Sequence, residues 1–274
     1  MNFKISSYLI HNNDKERKVF RENIKNLMES LNINLSLISK QEISYKGFSN
    51  IKLKINLIKN IFNFLLFNAY HKRNFLFQKK NNLLINLIFP LLFKIIRIIS
   101  NNKEKNFKIY QHNVIEKVVR GKHILAWESF LKTNNKYLIV FEDDAICQHN
   151  SGERLKVILK KLSLDKSNNF YIDLAGGYNL QKILPMDHKL KDKFFDILIC
   201  KLYTNTACSY LVTRSVIKEF LRILKEDNFS KNFPIDHLIN YLGFRSKFKI
   251  YCGHFFKPIF THGSFKDKIN SWQC

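Results

Sequence analysis

No acidic residue occurs between positions 43 and 103, while Lys46, Lys52, Lys54, Lys59, Lys72, Arg73, Lys79, Lys80, Lys94, Arg97 and Lys103 all carry positive charge there. Over the 274-residue chain, 46 Lys+Arg face 22 Asp+Glu, for a net charge of +24. Such an imbalance calls for an anionic partner: nucleic acid, a phosphorylated small molecule or a membrane with acidic lipids. No CxxC pair exists among Cys147, Cys200, Cys208, Cys252 and Cys274, which argues against a zinc ribbon or a redox dithiol. Their odd number and wide spacing read as reduced thiols in a cytosolic setting. The N-terminal stretch has no apolar segment of signal-peptide length before Asp14 and Lys15, so the sequence predicts a protein that is not secreted. Also missing is an uninterrupted apolar run of about 18 residues, the length a spanning helix wants. The greasy stretches at 61–67 and 83–100 do not reach it, and the second is broken by Asn86, Pro90, Lys94 and Arg97. We find no internal repeat and no recognised nucleic-acid motif.

What is present is a hydrophobic share of 46%, enough for a buried core in one large domain or two small ones. Residues 3–10 read as a first strand, with Asn12, Asn13 and Asp14 supplying a turn and a helix N-cap. Val19, Phe20, Ile24, Leu27, Met28 and Leu31 recur at helical spacing and predict a helix over about 15–30. Ile115, Val118, Val119, Leu125 and Phe130, with Trp127, predict another over 114–131. Then comes the run YLIVF, of the kind expected for a strand buried on both faces. Further helices are predicted over 152–162, 215–225 and from Pro234, with strands over 170–176 and 204–213 and one or two within 248–260. A loop of some twenty residues is expected after Gly177. Alternation of this kind predicts an α/β sheet with helices on both faces. The 43–103 segment fits two readings, an amphipathic element lying on an anionic membrane surface or an ordinary helical insertion packed on the core.

The strand YLIVF ends in three consecutive carboxylates, Glu142, Asp143 and Asp144. Adjacent carboxylates repel one another and are costly beside an apolar strand unless a cation or hydrogen-bond donors compensate. Open α/β sheets bind ligands at the carboxyl ends of strands, and alternate residues of an extended tail share a face. Glu142 and Asp144 are therefore candidates to hold one hard divalent cation, as Mg²⁺ or Mn²⁺ is often held together with substrate phosphates. The competing reading is a solvated strand-end turn or helix cap.

YLIVFEDDA, preceded by Glu116, His123 and Trp127 in IEKVVRGKHILAW, resembles glycosyltransferase family 25, the bacterial lipooligosaccharide galactosyltransferases and their collagen-modifying relatives. Val118, Val119 and Lys122 depart from that family's Gly-Cys and Ser. The opening YLIHNNDKERKVF with Arg17 in the basic position, TNTACSYLVTRSVIKEFL, PIDH and THGSFKDKI resemble further landmarks of the same family in the same order. The resemblance implies a single GT-A-like domain over 1–274, with a mixed, mostly parallel sheet and 43–103 as a basic helical insertion contacting membrane or acceptor. It implies a UDP-linked sugar donor and Mn²⁺ or Mg²⁺ bound through Glu142-Asp143-Asp144, where a cation neutralises charge developing on the diphosphate leaving group.

The same resemblance implies inversion in one displacement by the acceptor hydroxyl, which needs a general base. Asp236 in PIDH is the candidate; as the first acid of a helix it is equally suited to a helix-end charge with no catalytic role. His262 is a candidate third metal ligand or an ordinary structural histidine. Arg17, Asp143, Thr206 and Lys266 are the candidates for the donor: Thr204, Asn205 and Thr206 offer sugar-binding groups or simply good strand composition, and Lys266 and Lys268 offer point charges for the diphosphate or solvated lysines. Asp173 before Gly176 and Gly177 marks another strand end. The acceptor expected is a lipooligosaccharide or related lipid-linked glycan, reached from the cytoplasmic, inner face of an anionic membrane. The alternatives are a basic nucleic-acid-binding or metal-dependent phosphodiesterase protein and a non-catalytic relative of the family.

Overall fold

The computed structural model describes residues 4–12, 15–39, 103–164, 169–176, 189–190, 194–204, 206–227 and 233–263. The basic 43–103 segment, apart from its final residue, and Lys266 lie outside them. In chain order the elements are β1 (Ile5–Ile10), α1 (Lys18–Ser30), β2 (Leu35–Ile38), α2 (Lys103–Leu131), β3 (Tyr137–Glu142), β4 (Ala145–Cys147), α3 (Ser151–Leu164), β5 (Phe170–Asp173), β6 (Lys189–Leu190), β7 (Ile197–Ile199), β8 (Ser209–Thr213), α4 (Arg214–Glu226), α5 (Ile235–Arg245), β9 (Tyr251–His254) and β10 (Phe260–His262).

Eight strands form one sheet in the order β2-β1-β3-β8-β5-β9-β7-β6, and β4 pairs with β10 in a small ribbon. The pairings make β7 and β8 antiparallel to their neighbours, so the other six strands run in one direction. The sheet is therefore mixed and mostly parallel, as the sequence led us to expect. Period-two alternation splits β3 between the two faces. Leu138 and Val140 point towards Trp127 and Phe130 of α2, Phe220 of α4 and Leu238 of α5. Tyr137, Ile139 and Phe141 point towards Ile24 and Met28 of α1 and Leu155 and Ile158 of α3. Burying both faces is what allows YLIVF to be continuously apolar.

Several local expectations are corrected. Helix α1 begins at Lys18 with Arg17 at its N-cap and no side-chain cap; Asn12 serves another purpose, described below. Val19 and Leu125, both assigned to buried faces, are exposed, because each sits five residues, about 140° around a helix, from a core position, Ile24 and Phe130 respectively. The expected strand over 204–213 shortens to β8. Its first half is taken up by side chains that capture backbone groups: Asn240 Oδ1 accepts from Thr204 N at 2.7 Å, Asn240 Nδ2 donates to Thr204 O at 2.6 Å, and Thr206 Oγ1 accepts from Cys208 N at 3.2 Å. Bonds of this kind compete with a strand ladder. The long loop expected after Gly177 contains β6 and β7.

Candidate active site at the carboxyl end of the sheet

Strands β1, β3, β5 and β9 run the same way and end on one side of the sheet, where β8, running oppositely, begins. The polar residues expected from the sequence gather there because the topology brings these ends together. Lys122 of α2 is buried and donates to His11 O at 2.7 Å and to Asn12 Oδ1 at 2.5 Å. The residue that departs from the family pattern thus ties the end of β1 to α2.

Asp143 lies at the centre of a buried pair. Arg17 Nη1 donates to its Oδ1 at 2.7 Å, and the backbone N–H of Asn12 donates to Oδ2 at 3.2 Å. Arg21 approaches the same carboxylate at 3.9 Å and Arg17 lies 3.8 Å from Asp144. Both members of the pair are almost fully buried. Although burial pushes the Asp143 carboxyl up, Arg17 opposes the shift. Arg17 and Asp143, both candidates for the donor, are paired with each other, and the pair fixes the acidic turn.

Glu142 is held differently. Its Oε1 lies 2.9 Å from His123 Nε2, His123 Nδ1 lies 2.9 Å from the Tyr210 hydroxyl, and Trp127 Nε1 donates to that hydroxyl at 2.8 Å. Burial drives the His123 pKa down to about 3, so the ring is neutral and carries one N–H. The neutral imidazole links the Tyr210 hydroxyl to Glu142, with the direction of each bond set by which ring nitrogen carries the proton. His123 and Trp127 stand four residues apart on one helix face, which is why both reach Tyr210. Burial first, and then Asp144, raise the Glu142 carboxyl to about 8.

Asp144 opens towards β8 and β10. Cys208 Sγ lies 3.4 Å from its Oδ1 and His262 Nδ1 lies 3.6 Å from its Oδ2. Together Asp144, Cys208 and His262 are the group of possible metal ligands found among the described residues, with ligand atoms within 4.8 Å of one another. His262, the candidate third ligand, ends β10 opposite Ala145 of β4. Cys208 is a residue that the sequence does not single out, since no local signal marks it.

Asp236 sits in the first turn of α5 and accepts from the backbone N–H of Ala207. Burial, followed by the charges of Glu142 and Glu116, raises its pKa to about 8. Thr206, buried, lies two residues before Cys208, and its carbonyl accepts from Thr204 Oγ1 at 2.8 Å. Asp173 accepts from Thr204 Oγ1 at 3.0 Å and from Gly176 N at 2.9 Å, with its pKa raised by burial to about 6.

An α/β sheet with an acidic turn after a central strand is common to many enzymes. The model of glycosyltransferase family 25 (LPS biosynthesis protein) matches residues 12–239, more than four fifths of the sequence. The chain belongs to glycosyltransferase family 25. The match includes Arg17, the acidic turn, Thr206 and Asp236, and ends before His262. No curated protein matches. A solved glycosyltransferase involved in the glycosylation of the major capsid of PBCV-1 aligns over 98% of this chain and 94% of that chain, at 10% identity and a TM-score of 0.41. At that identity no residue assignment follows from it.

As a family 25 glycosyltransferase, the protein needs a sugar donor and a glycan acceptor, and the strand ends described above provide the cluster of acids available for that chemistry among the described residues. No helix among them is long and apolar enough to cross a membrane.

Proposed function

We propose that this glycosyltransferase moves a hexose such as galactose from a UDP-sugar to a lipooligosaccharide or related lipid-linked glycan, with inversion and with a divalent cation at the acidic turn. The observation that carries the reading is the crowding of Glu142, Asp143 and Asp144 at one buried strand end, where burial first and Asp144 second raise the Glu142 carboxyl to about 8, in a chain of net charge +24. Carboxylates crowded together out of water are what a bound cation would compensate. Asp144 and His262 would hold the ion, with Glu142 beside them. When bound, the ion supplies charge stabilisation to the departing diphosphate.

The remaining work falls to side chains. Arg17 and Asp143 keep the turn in place and are proposed to face the donor from there, and the Trp127-Tyr210-His123 chain positions the Glu142 side chain. Asp236 is the general base: a carboxyl whose pKa lies near the working pH is well matched to accept the proton of an acceptor hydroxyl. As that oxygen bonds to the anomeric carbon from one side, the bond to the diphosphate oxygen breaks on the other, which inverts the centre. Thr206 and Lys266 are proposed to contact the donor. The basic surface and the 43–103 segment are proposed to hold the enzyme against the anionic inner face of the cytoplasmic membrane, where the acceptor resides.

UDP release, measured across a panel of UDP-sugars with Mn²⁺, Mg²⁺ or chelator, tests the reading. Turnover of one sugar is expected, dependent on metal, and Asp144→Asn is expected to reduce it by about three orders of magnitude, as loss of a key transition-state charge does. Full activity of that variant in chelator would refute the metal-assisted mechanism. Salt-sensitive nucleic-acid binding with no UDP-sugar hydrolysis would point instead to the phosphodiesterase class.

A further inference from the structure

We infer that the cation site at the acidic turn is completed by the thiolate of Cys208, and that it therefore takes a borderline transition-metal ion of the Zn²⁺ or Co²⁺ kind in preference to Mg²⁺. The inference deepens the metal-assisted reading of this turn and rests on it. Three elements converge here: Asp144 from the turn between β3 and β4, Cys208 at the entry to β8, and His262 at the end of β10.

The donor set decides the class of ion, and the distances allow it. A tetrahedral metal with bonds of about 2.0 Å to nitrogen and oxygen and about 2.3 Å to sulfur sets its ligand atoms roughly 3.3–3.5 Å apart. The sulfur of Cys208 stands 3.4 Å from Asp144 Oδ1, and His262 Nδ1 stands 3.6 Å from Asp144 Oδ2. One carboxylate thus has a sulfur beside one oxygen and an imidazole beside the other, and one ligand atom from each residue lies within 4.8 Å of the others, close enough for a single ion to reach all three. An oxygen, nitrogen and sulfur set suits zinc and its neighbours, whereas Mg²⁺ demands an octahedron of oxygens.

Backbone hydrogen bonds fix all three residues independently of any ion. Glu142 N donates to Cys208 O at 2.8 Å, which pins Cys208 beside the turn, and Gly263 N donates to Asp144 O at 2.8 Å. The pairing of Ala145 with His262 in the β4-β10 ribbon sets the register of the histidine. Ligands placed by the main chain lose little freedom when an ion enters, and a metal site gains from such preorganisation. On binding, the Cys208 S–H bond breaks, its proton leaves to solvent or buffer, and the thiolate sulfur bonds to the ion. A fourth position remains for a water or a donor phosphate oxygen, the open arrangement of catalytic zinc sites.

Optical titration of the chelator-treated full chain with Co²⁺ tests this. We expect one equivalent to produce a near-ultraviolet thiolate-to-cobalt charge-transfer band with intense visible bands of tetrahedral Co²⁺, both removed by Zn²⁺ and unaffected by excess Mg²⁺. Cys208→Ser should lose the ultraviolet band while Cys147→Ser and Cys200→Ser keep it. Persistence of the band in Cys208→Ser, or its absence in the wild type, overturns the assignment. If Cys208→Ser does not fold, X-ray absorption of the wild-type zinc form decides: a sulfur scatterer at about 2.3 Å supports the inference, and a shell of only oxygen and nitrogen refutes it. Donor turnover with Mn²⁺ and no sulfur band would sink this inference and leave glycosyl transfer standing. A sulfur band without turnover of any UDP-sugar would do the reverse.

Discussion

Asp143 and Glu142 are neighbours in sequence and opposites in environment. Asp143 accepts from Arg17 and from the N–H of Asn12, which oppose the upward push of burial; Glu142 has one imidazole beside it, and burial with Asp144 holds its proton to about 8. Asp236, buried and near Glu142 and Glu116, also keeps its proton to about 8. The consequence for stability has a definite sign. An unfolded aspartate releases its proton near pH 4, whereas folded Asp236 keeps it to about 8. Between those values the folded state binds more protons, so this group's contribution makes stability fall as pH rises, and the loss is complete above about 8. In chelator, the urea midpoint of the wild type should therefore drop between pH 5 and pH 8 more than that of Asp236→Asn, which has nothing to ionise at that position. Parallel pH profiles for the two proteins would show that Asp236 is not held in its neutral form.

At the scale of elements, helix α2 is joined to β8 through a line of polar atoms inside an apolar layer. Trp127 and His123 project from one face of α2 onto the single hydroxyl of Tyr210, and the rings of His123 and Tyr210 stack with centroids 5.7 Å apart. Tyr210→Phe keeps the ring and removes the hydroxyl, leaving two buried nitrogens without their partner. A loss of about 1–3 kcal/mol is expected from such orphaned groups, read from denaturant unfolding. Adding Trp127→Phe to Tyr210→Phe should cost less than Trp127→Phe in the wild type, since one orphan is then removed. Additive losses in that cycle would mean that the indole N–H and the hydroxyl do not act together. Helix α5 is tied differently: its Asn240 makes a reciprocal pair with the backbone of Thr204, which places Asp236 one turn away against Ala207.

For the whole molecule, +24 is too large a charge for the acidic turn to offset. A surface of that sign is drawn to anionic lipids by roughly 1 kcal/mol for each lysine or arginine near the headgroups, and salt screens the attraction within a Debye length. Sedimentation with phosphatidylglycerol-containing vesicles should carry the protein down at low salt and release it as salt is raised. Equal binding to purely phosphatidylcholine vesicles, insensitive to salt, would refute electrostatic docking to an anionic membrane.

The sequence by itself determined the α/β class, because a continuously apolar strand flanked by helical periodicities has few other ways to bury its residues. It marked the acidic turn as the candidate site of chemistry, since three carboxylates after YLIVF need compensation wherever they lie. The E-x₆-H-x₃-W spacing placed His123 and Trp127 on one helix face, though not what they touch. Tertiary structure alone decided how the carboxylates divide their roles, because Arg17, Asn12 and His123 reach Asp143 and Glu142 across separations of 19 to 131 residues. It alone brought Cys208 and His262 to Asp144, which lie 64 and 118 positions further along the chain. No local pattern announces such a set: a group of possible ligands assembled from three strand ends is fixed by the order and register of the strands, and those are set by packing across the whole sheet.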